Sequence, residues 1–199
     1  MVEIKLFGKW SVDGIKVSDI GLKPYINLSP RFVIKTGGRN AKSRFHKSYY
    51  NIVERLMNKL MIPGHRSKKH KLTSGRCTGK AVKVYNIVER ALELVEKKTN
   101  MNPIGILVKA IENSATREEV ITIEYGGAKY PKAVECAPQR RIDLTLRIMT
   151  QNSYQKSFNS KKSIEKTLAD EIVFAYEKNS NSAAIQKKLE IERQADSSR

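Results

Sequence analysis

The sequence predicts a mainly α-helical protein: one bundle of about six helices with a single protruding β-hairpin and a long basic N-terminal extension. Three observations carry this. From about residue 51 the apolar residues recur at the 3.6-residue spacing of helices with one buried face. That period switches once to 2, around Gly126-Gly127, and then returns. The first fifty residues hold neither period and read as a largely irregular extension over 1–50, ahead of a helical domain over 51–199.

In the first helix Ile52, Val53, Leu56, Met57, Leu60 and Met61 make the buried stripe, with Glu54, Arg55 and Lys59 opposite, and Pro63-Gly64 closes it. A second runs from about Gly79 to Lys98, with Ala81, Val84, Tyr85, Val88, Ala91, Leu92 and Val95 on one face. Asn102-Pro103 reads as an N-cap with proline at the first helical position, opening a helix to about Asn113. Val120–Tyr125 is then a strand by composition, and Gly126-Gly127 is a tight turn that needs positive φ. The return strand, Ala128 to about Cys136, puts Glu124 opposite Lys129 and Ile123 opposite Tyr130, within a hairpin at about 119–136. Pro138 starts a fourth helix, to about Gln151. A fifth runs from Ser163 to about Lys178, and a sixth from Ser182 to near Ala195.

The chain has 199 residues, is 40% hydrophobic and carries a formal net charge of +18. Three segments account for that charge. Ile20–Val53 and Ile62–Val88 each carry seven Lys/Arg and no acid, and Gly127–Ser163 carries eight against two acids. Separate acid-free basic runs in an otherwise balanced chain point to a folded polyanion as partner. No apolar run is long enough to span a membrane, and the first residues hold no signal-peptide core. Cys77 and Cys136 are too few for a disulfide scaffold and read as free thiols.

The first basic run offers Arg31, Lys35, Arg39, Lys42, Arg44 and Lys47, followed by Tyr49 and Tyr50. Arginine forks match phosphates, and aromatic or guanidinium planes stack on unpaired bases. The second offers Arg66, Lys68, Lys69, Lys71, Arg76 and Lys80. Its Thr73–Lys80 stretch fails as a nucleotide-binding loop, because Ser74 stands where glycine is required, Ala81 follows the lysine, and no hydrophobic strand precedes it. His46, His65, His70, Cys77 and Cys136 show no metal-ligand spacing, so no metal or other cofactor is expected. No arrangement of residues suggests catalysis. In the fourth helix Gln139, Arg140, Asp143 and Arg147 share a polar face, while Arg141 falls in the apolar arc. Such an arginine either snorkels to water or reaches an anion from the first turn.

Together these residues resemble the universal small ribosomal subunit protein seven family, in its archaeal and eukaryotic branch and most closely the archaeal side. The matching motifs run in order through Asn51–Met57, Lys98–Pro103, Val108–Asn113, Gly126-Gly127, Val134–Arg141, Ala169–Ile172 and Ala184–Lys188. The resemblance implies a non-catalytic, cytoplasmic protein that binds the 3′ major domain of small-subunit rRNA and helps organise the subunit head. Its partners would be that rRNA, the exit-site tRNA and mRNA, and neighbouring proteins of head and platform. Carried over by position, Arg140, Arg141 and Arg147 would face rRNA, and Tyr125, Gly126, Gly127, Lys129 and Tyr130 would form the tRNA- and mRNA-facing hairpin tip. The alternative is an RNA-binding ribosome maturation factor of the same fold.

Overall fold

The computed structural model describes residues 4–39, 41–64 and 79–199. Among the described residues, six α-helices and one hairpin follow one another as α1 (Ile52–Met61), α2 (Ala81–Thr99), α3 (Pro103–Ser114), β1 (Glu118–Tyr125), β2 (Ala128–Glu135), α4 (Pro138–Ser157), α5 (Ile164–Tyr176) and α6 (Ala183–Asp196). α5 is the central helix and packs on α2, α3 and α4. Leu92, Leu107, Ile111, Ile142, Leu146, Leu168 and Ile172 fill the space between them without exposure. No described helix is long and apolar enough to cross a membrane.

Local chemistry sets the helix starts. The side chains of Asn51, Asn102, Ser163 and Ser182 accept from the backbone N–H of Val53, Ile104, Lys166 and Ile185, capping α1, α3, α5 and α6. The hairpin has the expected register, with Glu124 across from Lys129 and Ile123 across from Tyr130, and Gly126 and Gly127 take φ of 58° and 81°. Its base rests against α6, and its outer half is exposed.

Two features depart from the sequence reading. α4 continues to Ser157, well past Gln151, because its last turns bury polar side chains that apolar periodicity does not detect. Thr150 and Ser153 hydroxyls donate to the carbonyls of Leu146 and Met149 inside the helix. On α1, Glu54 and Arg55 are not solvent-facing; each is only 4% exposed. The irregular N-terminal stretch covers them. Thr36 donates its N–H and its hydroxyl to Glu54 Oε1, both at 2.7 Å, and Arg55 donates to the carbonyl of Tyr25 at 3.0 Å.

Among the described residues of 4–50 the only helical elements are short 3₁₀ turns at Lys23–Tyr25 and His46–Tyr49, yet Leu6, Trp10, Val12, Leu22, Ile26 and Ile34 belong to the common core. Polar pins hold the stretch down. Trp10 Nε1 donates to Glu96 at 3.0 Å, and Asn102 Nδ2 donates to the carbonyl of Ser11 at 2.7 Å. Glu112 Oε1 accepts from the backbone N–H of Ser18 and of Asp19.

Candidate nucleic-acid interface

The first half of α4 is the meeting point of the basic groups. Pro138 occupies its first turn, and Ala137 provides no side-chain cap, so the opening N–H groups of this helix have no side-chain acceptor at the cap position. The 43–50 segment lies against it. Lys47 Nζ is 3.0 Å from Asp143 Oδ2, and Ser48 Oγ donates to Gln139 Oε1 at 3.3 Å. Arg55 reaches the other oxygen of Asp143 from α1 at 3.2 Å. A cleft of about 320 Å³ opens here, lined by Ala137, Gln139, Arg140, Asp143, Leu144 and Arg147.

Asp143 is the counter-ion for a crowd of cations. Burial pushes its carboxyl up, but Lys47 and Arg55 outweigh that and hold it below the ordinary aspartate value. Lys59 on α1 shows the opposite imbalance. Burial pushes its ammonium down; Asp143 opposes that, while Lys47, Arg147 and Arg55 push it further down. One carboxylate among four cations leaves excess positive potential at the surface, where Arg147 is exposed. Arg55 and Lys59 were not among the residues expected from sequence. Their stripe position marks them as an ordinary solvent face, and the packing of α1 against α4 brings them here.

The expected contacts differ in exposure and in what they already hold. Lys35, Lys42, Arg44, Lys80 and Arg147 are exposed, Arg31 is half-buried, and among the described residues none of the six has a carboxylate within ion-pair distance. Lys35 stands out from the surface because its neighbours Ile34 and Thr36 are buried. Arg39 is exposed and donates through Nε to the carbonyl of Thr36 at 3.2 Å. Arg140 pairs with Glu119 at the hairpin root, 2.7 Å away, but remains 61% exposed at its side chain. Arg141 is turned inward: Nε donates to the carbonyl of Thr116 at 2.9 Å, and a second guanidinium nitrogen donates to Asp19 Oδ2 at 2.8 Å. It thus finds its anion within the chain. Tyr50 is buried with its ring 5.5 Å from that of His46, which leaves Tyr49 as the exposed member of that pair. Arg66, Lys68, Lys69, Lys71 and Arg76 lie outside the described residues. The backbone flanking them is closed by a hydrogen bond from Gly79 N–H to the carbonyl of Met61 at 3.1 Å. At the hairpin tip Tyr125 is 82% exposed, Tyr130 58%, and Gly126, Gly127 and Lys129 are exposed with them.

Two roles follow for the arginine pair. Arg141→Ala strands a carbonyl and a carboxylate, and is expected to destabilise the fold by about 1–3 kcal/mol in a denaturant melt. Arg140→Ala is expected to stay within about 0.5 kcal/mol of the parent, as surface changes do, while weakening RNA binding. An Arg141→Ala protein as stable as the parent would show that its inward contacts carry no weight.

The ribosomal protein S7p/S5e family matches residues 30–199. Small ribosomal subunit protein uS7 of Nanoarchaeum equitans is 50% identical over 198 residues, covering 100% of both chains. The proteins of that name from Methanothrix thermoacetophila and Methanosphaera stadtmanae are 43% and 47% identical, with 98% of this chain and 100% and 98% of theirs covered. With a family match across the cationic face, the hairpin and all six helices, and with archaeal relatives alike along their whole length, the chain belongs to the ribosomal protein S7p/S5e family.

Proposed function

We propose that this chain is a structural, non-catalytic component of the small ribosomal subunit, acting in the cytoplasm as part of the ribosome. It binds the 3′ major domain of small-subunit rRNA, helps organise the subunit head, and holds its hairpin near the exit-site tRNA and the mRNA exit path, beside proteins of head and platform. The names of its relatives support the subunit assignment. The RNA assignment rests on one observation above all: Lys47, Arg55, Lys59 and Arg147 gather around the single carboxylate of Asp143. That imbalance suits phosphates, which supply the missing negative charge. Lys35, Lys42, Arg44 and Lys80 extend the basic footprint, and the basic residues between 66 and 76 are assigned to the same RNA. Co-sedimentation tests the reading: the chain is expected to stay with small subunits through a high-salt wash, whereas a transient maturation factor would be released.

The hairpin separates assembly from translation. Its outer half contributes nothing to the common core, and Glu124 offsets Lys129 across the strands. Replacing Ile123–Tyr130 by a short glycine-containing turn is expected to preserve head assembly and to alter exit-site tRNA retention. Subunit yield by sedimentation and tRNA occupancy on the purified particles measure the two. Lost assembly would make the hairpin a primary rRNA anchor instead.

A further inference from the structure

Phe45 is 64% exposed and holds φ at 57°, in the left-handed region. A bulky aromatic there is a conformational outlier, and no burial of the ring offsets it. Arg44 covers the ring, with its guanidinium carbon 4.9 Å from the ring centroid. Phe32 is equally exposed at 66%, but it has an ordinary φ and, among the described residues, no cation over its ring. Exposure alone therefore does not single out Phe45; the strain and the stacked cation do.

The mount beneath this pair is fixed. His46 N–H donates to the Ser43 carbonyl at 3.2 Å, and Ser48 N–H to the Phe45 carbonyl at 3.1 Å. Lys47 and Ser48 tie the segment to Asp143 and Gln139 on α4, and Asn27 Nδ2 holds the carbonyl of Tyr49 at 2.8 Å. Buried Tyr50 anchors the other side. Two and three residues beyond Phe45, Lys47 and Ser48 thus touch Asp143 and Gln139, which line one cleft together with Arg140 and Arg147.

Resting on the RNA-binding reading above, we propose that Arg44 and Phe45 form a stacking site for one unpaired RNA base. The base adds its flat face to the guanidinium–ring pair, and its flanking phosphates are met by Arg147 and Lys42. Bases within a duplex are already stacked on each other, so the site selects a loop or bulge nucleotide. The left-handed backbone is what turns the ring outward to receive it.

The test uses the full chain and a transcript of the 3′ major domain of small-subunit rRNA. Ultraviolet crosslinking followed by mass mapping is expected to find a single-nucleotide adduct on Phe45. Phe45→Gly removes the ring and suits the positive φ, so the variant is expected to melt no lower than the parent. Its affinity for the transcript is expected to fall roughly 5- to 150-fold, the range for loss of one base–aromatic stack, and Phe45→Tyr to restore it. If Phe45→Gly binds as tightly as the parent while Arg147→Ala still weakens binding, the RNA face stands and the stacking site is overturned. If the parent itself ignores the transcript, the RNA reading falls, and the stacking site with it. An effect of Phe45→Gly confined to association with a neighbouring ribosomal protein also overturns the proposal.

Discussion

Affinity for head-domain RNA is expected to fall by about 10³ to 10⁵ between 50 and 200 mM salt, on the scale set by six to ten neutralised phosphates. The expectation comes from the distribution of charge rather than its total. Each lysine or arginine that reaches a phosphate releases condensed counterions, and added salt opposes that release. Lys35, Lys42, Arg44, Lys80 and Arg147 are exposed and lack a carboxylate partner among the described residues, so they are free to contribute. Arg140, whose side chain is 61% exposed, contributes by exchanging its pair with the half-buried Glu119 for a phosphate. Arg141 and Arg55 do not enter the slope, since each is committed to carboxylates and carbonyls inside the fold. Titrations at several salt concentrations measure the slope; a nearly flat one would end the electrostatic account.

A second large effect concerns stability. Glu171 on α5 has no exposed surface and is the polar knot of three helices. Its Oε2 accepts from Asn152 Nδ2 of α4 at 2.5 Å, with Lys156 Nζ at 3.7 Å. Its Oε1 accepts from the Ser182 hydroxyl at 2.8 Å and from the Ala184 N–H at 3.2 Å, at the start of α6. Glu171→Leu leaves those buried donors without an acceptor, and is expected to cost about 3–5 kcal/mol. For a chain of this size that corresponds to a fall in melting temperature on the order of 6–20 °C. Glu171→Gln keeps one acceptor oxygen toward α6, and a turned Asn152 can meet its amide, so the loss should be much smaller. Calorimetry of the two variants measures the difference; equal melting temperatures would deny the carboxylate its role.

The elements legible in the sequence were those whose order is local. The cap Asn102 falls where its residue type announced it, α5 and α6 open at the expected Ser163 and Ser182, and the Gly126-Gly127 turn fixed the strand register without tertiary information. What periodicity misses is a buried face that is polar or a core segment that has no repeat. Thr150 and Ser153 in late α4 are the first kind, self-bonded to their own helix. Leu6, Trp10, Leu22 and Ile34 are the second, apolar residues spaced without rhythm along irregular backbone. The site was legible to the same extent. Exposed basic residues announced themselves by composition, whereas Arg55 and Lys59 read as one side of an amphipathic helix, and only the packing of α1 on α4 sets them beside Asp143. Arg141 was legible as an anomaly on its helix wheel, but only the fold supplied Asp19, far away in sequence, as its partner.

The hairpin root has a mechanical meaning. Strands of eight residues make an arm on the order of 27 Å long. Arg199 grips Glu118 at its foot with one guanidinium nitrogen 2.8 and 2.7 Å from the two carboxylate oxygens, Glu192 accepts from the N–H of Arg117, and Arg140 holds Glu119. In such a cantilever the deflection at the free end is the angular play at the clamp multiplied by the arm's length. These three contacts therefore tune compliance at Tyr125 without touching it: loosening any one widens the arc the tip sweeps while leaving its chemistry unaltered.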